Sequence, residues 1–338
     1  MNHNTTGEPS ARTASARVLE LLYRYQRIDE ALAAEPTGPA GPEEPGGTSG
    51  NARCDACSEV HRAKMERFTA RDEPIHFVVP AFPAKSPNQG KVLGALPDLG
   101  EHLAVGFLQS LCDYVRHFYA PGARVTICSD GHVFGDVVGV TDGAVTAYRQ
   151  ALADMIGASH WSALDLYGLD DAFGSLDYPK MRRVLEENYS ATLDELKENV
   201  RTDRNTRALF NGIHRFMFED AVARQGGGTT RNQLRKNSKD AAYQTILRSN
   251  AWSRLVAEKF PDAIRLSIHP QPPHSEKFGL QLMPTRDGWL TPWHGVVLDD
   301  GVSRYLVKRW DAENLQASVV WRDGRPSHFV APHLAARP

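Results

Sequence analysis

Apolar segments of strand length alternate with helical segments through the first half of this 338-residue chain, and this order limits the fold most. IHFVVPAF (75–82), RVTICSDG (124–131) and SALDLYGL (162–169) have the length and composition of buried strands. Helical patterns lie between them at 101–119 and 141–158. Because strands that alternate with helices build βαβ units, the sequence predicts an α/β fold with a mainly parallel sheet flanked by helices.

Three further parts are predicted around this sheet. Apolar residues at helical spacing predict an N-terminal helix within 1–35, and the Pro- and Gly-rich stretch 36–51 predicts a flexible linker. Residues 52–338 are expected to form one core, with a helical insertion at about 177–258. The short strands and tight turns that follow the insertion predict antiparallel hairpins, appended to the parallel sheet.

The overall charge gives no basis for binding nucleic acid or an anionic membrane. The chain has 39 basic and 41 acidic residues, a net charge of -2. No segment is long and apolar enough to cross a bilayer, and the N-terminus lacks the pattern of a signal peptide. With only four cysteines, the sequence predicts a cytoplasmic protein with free thiols.

Cys54 and Cys57 form a CxxC motif, and His61 follows four residues later. A structural zinc site needs four ligands, and only three are visible here. A distant fourth ligand would complete such a site, but the pattern favours buried or unreactive thiols.

FPAKSPNQGK (82–91) follows the first predicted strand and contains two cations and several hydrogen-bond donors. It lacks the GxxxxGK[ST] pattern of a Walker A loop. Lys85 and Lys91, with Ser86 and Asn88, have the chemistry to hold a phosphate or a carboxylate. Taken alone, the loop is also compatible with a solvated surface, which most lysines occupy.

SDGHVFGD (129–136) follows the second predicted strand, so both loops are expected at the carboxyl edge of the sheet, where ligands bind. Asp130 and His132 are residue types that transfer protons near neutral pH, and Asp136 lies close to them. The alternative is that Asp130 only stabilises an Asp-Gly turn.

A third group of polar residues lies near the ends of C-terminal strands: His269, His274, Lys277 and His294. His274 and Glu276 match the HxE part of an iron-binding triad, with His294 as a third ligand, but the spacing fits poorly. At least one of these histidines is expected to have only a structural role.

A basic helical stretch, RNQLRKNSKDAAYQTILRSNAW, has two interpretations. It is either a solvated helix face or a source of one or two arginines that contact an anion. Its basic residues are Arg231, Arg235, Lys236, Lys239 and Arg248.

Several separated motifs occur in one order: FPAKSPN, KVLG and PDLGE, a strand that ends in SDG followed by VFGD, RSNAW, RLSIHPQ and TPWHGV. In this set, residues 54–330 resemble the PvcA-type isocyanide (isonitrile) synthases, a family that includes the fungal dityrosine spore-wall enzymes. The resemblance implies a Rossmann-like main domain with a smaller second one, in agreement with the alternation of strands and helices.

The resemblance also implies a reaction. A lyase of this type converts the α-amine of an amino acid, usually tyrosine or tryptophan, to an isonitrile with C2 of ribulose 5-phosphate. Hydroxyacetone, formaldehyde and phosphate are the implied by-products, and no metal or redox cofactor is implied. An iron(II)/2-oxoglutarate oxygenase often accompanies such enzymes as a functional partner.

This reaction needs sites for two anions, a sugar phosphate and an α-carboxylate. Lys85 and Lys91, helped by Ser86 and Asn88, are the candidates for one anion. The candidates for the other are Arg235, Arg248 and Lys277.

The reaction also needs groups that transfer protons near neutral pH. The catalytic candidates are Asp130, His132, His269 and His294, with Asp136 to orient a histidine. Lys85 is a further catalytic candidate, as a Schiff base to the sugar ketone or, more simply, as a buried cation.

Three other function classes remain open from the residues. They are a different sugar-phosphate lyase or transferase, an iron(II) oxygenase, and a non-catalytic ligand-binding or zinc module. The sequence does not decide which aromatic residue lines a side-chain pocket among Phe134, Tyr243, Trp252 and Trp293.

Overall fold

The structure, a computed structural model, describes residues 8–27, 55–223, 229–272, 274–287 and 290–331. The predicted linker 36–51 lies outside these residues. The helices are α1 Glu8–Tyr23, α2 Asp55–Ala70, α3 Leu99–Arg116, α4 Gly131–Val138, α5 Asp142–Ala158, α6 Leu169–Phe173, α7 Tyr178–Tyr189, α8 Leu193–Thr202, α9 Arg204–Ala223, α10 Arg231–Lys259 and α11 Arg309–Asn314. The strands are β1 Ile75–Val79, β2 Ala123–Cys128, β3 Leu164–Tyr167, β4 Ile264–Ser267, β5 Phe278–Gly279, β6 Val296–Asp299, β7 Arg304–Val307, β8 Ser318–Arg322 and β9 Arg325–Val330.

A five-stranded parallel sheet with the order β3-β2-β1-β4-β5 forms the centre of the fold. All five residues of β1 are buried, as expected for a central strand covered by helices on both faces. The chain runs outward from β1 through β2 to β3, and returns to the other side of β1 with β4. The predicted α/β fold with a Rossmann-like, mostly parallel sheet is therefore confirmed.

The C-terminal strands form a second sheet of their own with the order β7-β6-β9-β8. Two of the predicted hairpins are present, since β6 pairs with β7 and β8 with β9 in antiparallel fashion, while β6 and β9 are parallel. The hairpin prediction is wrong for β4 and β5, which are parallel strands of the first sheet. The prediction that the hairpins extend the parallel sheet is wrong. Strands β6 and β9 instead pack against α3, and β5 already occupies that edge of the first sheet.

The N-terminal helix is shorter than predicted and belongs to the main core. Its residues Val18 and Leu22 are completely buried in the largest apolar cluster. The helix ends at Tyr23, because Arg27 is already in an extended segment whose N–H donates to Gly279 O at 3.0 Å. The predicted helix therefore does not continue through residues 24–27.

Helices α7 to α10 follow β3 and α6 in the chain, and residues of α9 and α10 lie next to the carboxyl edge of the parallel sheet. The TLDE sequence forms a capping box, in which Thr192 and Glu195 exchange hydrogen bonds at the start of α8. Helix α5 is likewise capped by the Thr141 side chain. In the part of the chain that the structure describes, no helix combines the length and hydropathy that a membrane span requires.

Candidate active site

A large cavity lies where the direction of strand connection reverses, between the carboxyl ends of β1 and β4. Open α/β sheets bind ligands at this position. The cavity has a volume of about 440 Å³ and is lined by residues that follow three strands: Pro80 and Pro83 after β1, Asp130 after β2, and His269 after β4. Its size is typical of a site for small molecules.

Aromatic and apolar side chains form much of the cavity wall. Helix α9 contributes Phe216, α10 contributes Trp252, and α4 contributes Phe134. Trp293 belongs to a 3-10 turn, Pro292–His294, that precedes β6. Three of the four aromatic candidates from the sequence therefore line the cavity, whereas Tyr243 packs on Phe210 with ring centroids 4.5 Å apart.

Asp130 reaches the cavity because of the tight junction between β2 and α4. A Cβ atom on Gly131 would lie 1.9 Å from Pro83 O, so only glycine permits this close packing. The Asp130 side chain does not cap α4, which excludes the simple turn role. Its Oδ1 is inaccessible to solvent and has no hydrogen-bond partner, and burial raises the pKa of the carboxyl to about 7. Asp130 can therefore both donate and accept a proton near neutral pH.

His269 and His294 line the same cavity, and both are neutral at pH 7. Burial lowers the pKa of His269 to about 4, and the charges of Arg27 and Lys277 add to this effect. Burial also lowers the pKa of His294 well below its usual value, again with help from nearby cations. His294 Nδ1 lies 3.2 Å from Thr291 Oγ1, which orients the ring. Neutral imidazoles can accept hydrogen bonds from a substrate.

Lys277 is the lysine that reaches the cavity among the described residues. It precedes β5, and its backbone N–H donates to Ser275 Oγ at 3.1 Å. Burial lowers the pKa of its amine to about 8, and the charge of Arg265 contributes. A partly neutral amine in a cavity is unusual for lysine and is typical of functional sites.

Lys85 does not line the cavity but binds two carboxylates in the core. Its Nζ lies 2.8 Å from Asp98 Oδ2, 2.8 Å from Glu101 Oε2 and 3.0 Å from Pro292 O. All three charged side chains are at most 5% exposed. Burial opposes the Lys85 charge, but the two carboxylates outweigh it and raise the pKa of the amine. Burial raises the pKa of Asp98 to about 7, so any extra proton in this group resides on a carboxyl.

Lys91 is also neutralised by carboxylates of the protein. It is completely buried, with its Nζ 2.5 Å from Asp220 Oδ1 on α9 and 3.5 Å from the centre of the Phe216 ring. Asn88 Nδ2 donates to the same Asp220 carboxylate at 3.1 Å, and Ser86 Oγ lies 3.5 Å from it. The 82–91 loop therefore holds internal carboxylates, and it fastens α9 over the cavity.

His132, Asp136 and Arg248 lie outside the cavity, in a network between α4, α7 and α10. His132 stacks on Tyr178 with ring centroids 3.7 Å apart, and its Nε2 lies 3.0 Å from Thr146 Oγ1. Arg248 binds Asp136 at 2.6 Å and Glu186 at 2.5 Å. These hydrogen bonds outweigh burial and raise the pKa of Arg248.

The other basic residues of α10 form a solvated face. Arg235 is exposed, and its guanidinium lies 5.5 Å from the centre of the Phe218 ring. Arg231, Lys236 and Lys239 are exposed as well. The structure thus brings Asp130, His269, His294 and Lys277 together and places the remaining sequence candidates elsewhere.

The metal-site alternatives involve residues that do not converge on one point. His274 is exposed, and Glu276 is exposed and lies 3.8 Å from Arg265, whereas His294 lines the cavity. Across the described stretches, no group of three or more His, Cys, Asp or Glu side chains could hold a metal ion. The CxxC hypothesis lies partly outside the described residues, since Cys54 is not among them.

Some residues around the site were not predicted from the sequence. The sequence PDLGE has the pattern of a capping box, which indicates that Asp98 and Glu101 lie at the start of α3. The pattern does not reveal that Lys85 pairs with them. No local signal pointed to Asp220 or Phe216, which come from α9.

The fold and this cavity define a class: an α/β protein with a small-molecule site at the switch point of its parallel sheet. The family model for pyoverdine/dityrosine biosynthesis proteins, DIT1_PvcA, matches residues 65–320. The chain belongs to this family, as the sequence motifs predicted.

Relatives and a solved structure extend this comparison. The chain is 45% identical over 277 residues to L-tryptophan isonitrile synthase AmbI2 of Fischerella ambigua, covering 82% of this chain and 84% of that protein. It is 40% identical over 332 residues to L-tyrosine isonitrile synthase of Pseudomonas aeruginosa, covering 96% of each. The crystal structure of PvcA from the same organism matches with a TM-score of 0.84 and 39% identity, covering 94% of this chain and 99% of that one.

Proposed function

We propose that this protein is an isonitrile synthase of the lyase type. It converts the α-amine of L-tyrosine or L-tryptophan to an isonitrile, and C2 of ribulose 5-phosphate supplies the carbon. The observation that carries the proposal is the switch-point cavity, in which Asp130, Lys277 and two neutral histidines meet an aromatic wall. The names of the relatives support the reaction, and they include synthases for both amino acids.

The cavity wall supports an aromatic substrate. Phe134, Phe216, Trp252 and Trp293 offer ring faces and edges to a flat side chain. Aromatic pairs contribute about 0.5–1.5 kcal/mol beyond the burial of their surface. An aliphatic side chain of the same length would forgo this contribution, so we expect a preference for aromatic amino acids.

The polar residues match the proton transfers that the reaction requires. The amine adds to the C2 ketone, water leaves, and deprotonation, phosphate loss and carbon–carbon cleavage follow. Asp130, with a pKa of about 7, can act as acid and then as base, whereas His269 and His294, whose pKa values are lowered, can accept hydrogen bonds that orient the reacting groups. The products are the isonitrile, hydroxyacetone, formaldehyde, phosphate and one water. The atoms balance without an external oxidant or reductant.

Lys277 is the cation that we assign to an anionic group of a substrate, because it lines the cavity. The roles predicted for Lys85, Lys91, Arg235 and Arg248 in binding anions stay predictions, since these residues lie behind the wall or at the surface. A cytoplasmic location and an oxygenase that acts on the product complete the proposal.

The test is mass spectrometry of the purified protein with ribulose 5-phosphate and one amino acid at a time. We expect an isonitrile from tyrosine or tryptophan and much less from leucine or valine, the aliphatic controls. Consumption of ribulose 5-phosphate without any isonitrile would instead support a different sugar-phosphate lyase. Absence of turnover from folded protein with every amino acid would refute the proposal.

A further inference from the structure

The lysines around the site differ in what neutralises their charge. Lys85 Nζ lies 2.8 Å from the carboxylates of Asp98 and Glu101, and Lys91 Nζ lies 2.5 Å from a carboxylate on α9. Within the stretches that the structure describes, Lys277 has no carboxylate within 4.0 Å of its amine. Lys277 lines the cavity, where its amine can contact a substrate.

The main chain around Lys277 is fixed, which gives its side chain a defined origin. Strand β5 starts at the next residue, and Phe278 pairs with Leu266 of β4. Strand β4 leads directly to His269, and the charge of Lys277 contributes to the lowered pKa of that histidine. Lys277 and a neutral imidazole therefore share one wall of the cavity. With its pKa lowered to about 4, this imidazole can accept a hydrogen bond from the lysine but is too weak a base to take its proton.

The environment of Lys277 also favours the nucleophilic form of its amine. Burial and the charge of Arg265 lower the pKa to about 8. At pH 7.5, such an amine is neutral in roughly a quarter of the molecules, against about one in a thousand for a lysine with the ordinary pKa. Buried lysines with lowered pKa values form Schiff bases with carbonyl substrates.

Building on the proposed isonitrile synthesis, we propose that Lys277 is a catalytic nucleophile that captures the ketone of the sugar phosphate as a Schiff base. The Nζ lone pair forms a bond to C2 and gives a carbinolamine. The hydroxyl on C2 leaves as water, with a proton from the carboxyl of Asp130. The amine of the amino acid then adds to C2, Lys277 leaves as the free amine, and the proton released in this exchange returns to the carboxylate of Asp130. One water is released, and no electron carrier takes part.

The simpler role for Lys277 is that of a cation for a phosphate or carboxylate. The two roles differ in one respect that can be measured, because only the Schiff base creates a bond that hydride can reduce. Lys277→Arg keeps the positive charge but removes the nucleophile. Lys64 is a matched control, because burial also lowers its pKa although it lies outside the residues that line the cavity.

The full chain is incubated with ribulose 5-phosphate and cyanoborohydride, without amino acid, and its peptides are analysed by mass spectrometry. We expect the peptide with Lys277 to gain the mass of the sugar phosphate less one oxygen atom. The adduct should be lost in Lys277→Arg and retained in Lys64→Arg. If Lys277→Arg does not fold, the comparison of adduct formation at Lys277 and at Lys64 in the wild-type protein tests the proposal by itself.

A parallel product assay separates this inference from the proposed function. Wild-type protein that makes an isonitrile but forms no adduct at Lys277 would overturn the Schiff base and leave the function intact. Equal labelling of Lys64 and Lys277 would also overturn it. If wild-type protein makes no isonitrile, the proposed function fails, and a selective adduct at Lys277 would still support covalent capture of the ketone.

Discussion

Lys85→Met is expected to lower the free energy of unfolding by about 3–5 kcal/mol, the usual cost of removing one partner from a buried ion pair. The Lys85 amine donates to Asp98, Glu101 and the carbonyl of Pro292 within 3.0 Å. Methionine fills a similar volume, so a cavity adds little to the cost. The loss arises because the two carboxylates stay buried beside each other with no cation to neutralise their charge.

A second substitution tests this reasoning. Asp98→Asn removes one of the two carboxylates, and asparagine is as good an N-cap for α3 as aspartate. The double variant Lys85→Met/Asp98→Asn should therefore be more stable than the sum of the single effects predicts, by about 0.5–3 kcal/mol. Lys180→Met serves as the control, because Lys180 pairs with Asp177 at the surface and should cost about 0–1 kcal/mol.

Urea denaturation of the four variants, followed by circular dichroism, measures these energies. A cost for Lys85→Met no larger than that for Lys180→Met would refute the buried-cluster interpretation, as would additive effects in the double variant. Turnover per folded molecule is measured alongside. Because Lys85 lies outside the cavity and donates to Pro292 O, a loss of turnover would indicate that it positions the Pro292–His294 turn at the cavity wall.

Three further predictions concern the cavity and its supports. Asp130→Asn should lower kcat by about 10²–10⁴-fold, because the amide can neither donate nor accept the proton. It should also abolish the rise of kcat/KM through about pH 7, the pKa of the Asp130 carboxyl. Product formation measured across pH tests this, and an unchanged profile would contradict the role of Asp130. Burial lowers the pKa of His269 to about 4, so the unfolded chain binds the extra proton below about pH 6.5. Stability should therefore fall as pH drops from about 6.5 to 4, and His269→Gln should reduce this loss in urea titrations at about pH 7 and 5; equal losses would contradict the assignment. Lys91→Met should lower the free energy of unfolding by about 3–5 kcal/mol, because the buried Asp220 loses its cation. Adding Asp220→Asn should restore part of this stability. A double variant that is no more stable than Lys91→Met in thermal unfolding would count against the pairing.

The sequence predicted the core of the fold because buried parallel strands need continuous apolar runs. Ile75–Val79 is such a run, and each of its residues is buried. The order of strands and helices then predicted which loops meet at the carboxyl edge of the sheet. Asp130 was therefore found from its position at a strand end. His269 was also a candidate near a strand end, but its strand, β4, was expected in a hairpin and not beside β1 in the parallel sheet. The ordered motifs also indicated the family, which the comparisons confirm.

The sequence could not predict which way each polar side chain points within those loops. His132 is two residues from Asp130, yet α4 turns its ring away from the cavity and onto Tyr178. A helix rotates successive side chains around its axis, so closeness along the chain does not imply a shared site. The same loop can supply one catalytic residue and one structural residue.

The partners of the charged residues were decided only by the tertiary structure. Lys85 and Lys91 look alike as members of one cationic loop, but α3 supplies carboxylates to the first, and α9 supplies Asp220 to the second. Asp220 lies more than a hundred residues farther along the chain. The sequence pattern within one segment shows only whether its residues are apolar and at which spacing they recur. The cation available to a substrate depends on which distant groups packing brings within hydrogen-bond distance. Among the residues that the structure describes, no carboxylate lies within 4.0 Å of the amine of Lys277, which lines the cavity.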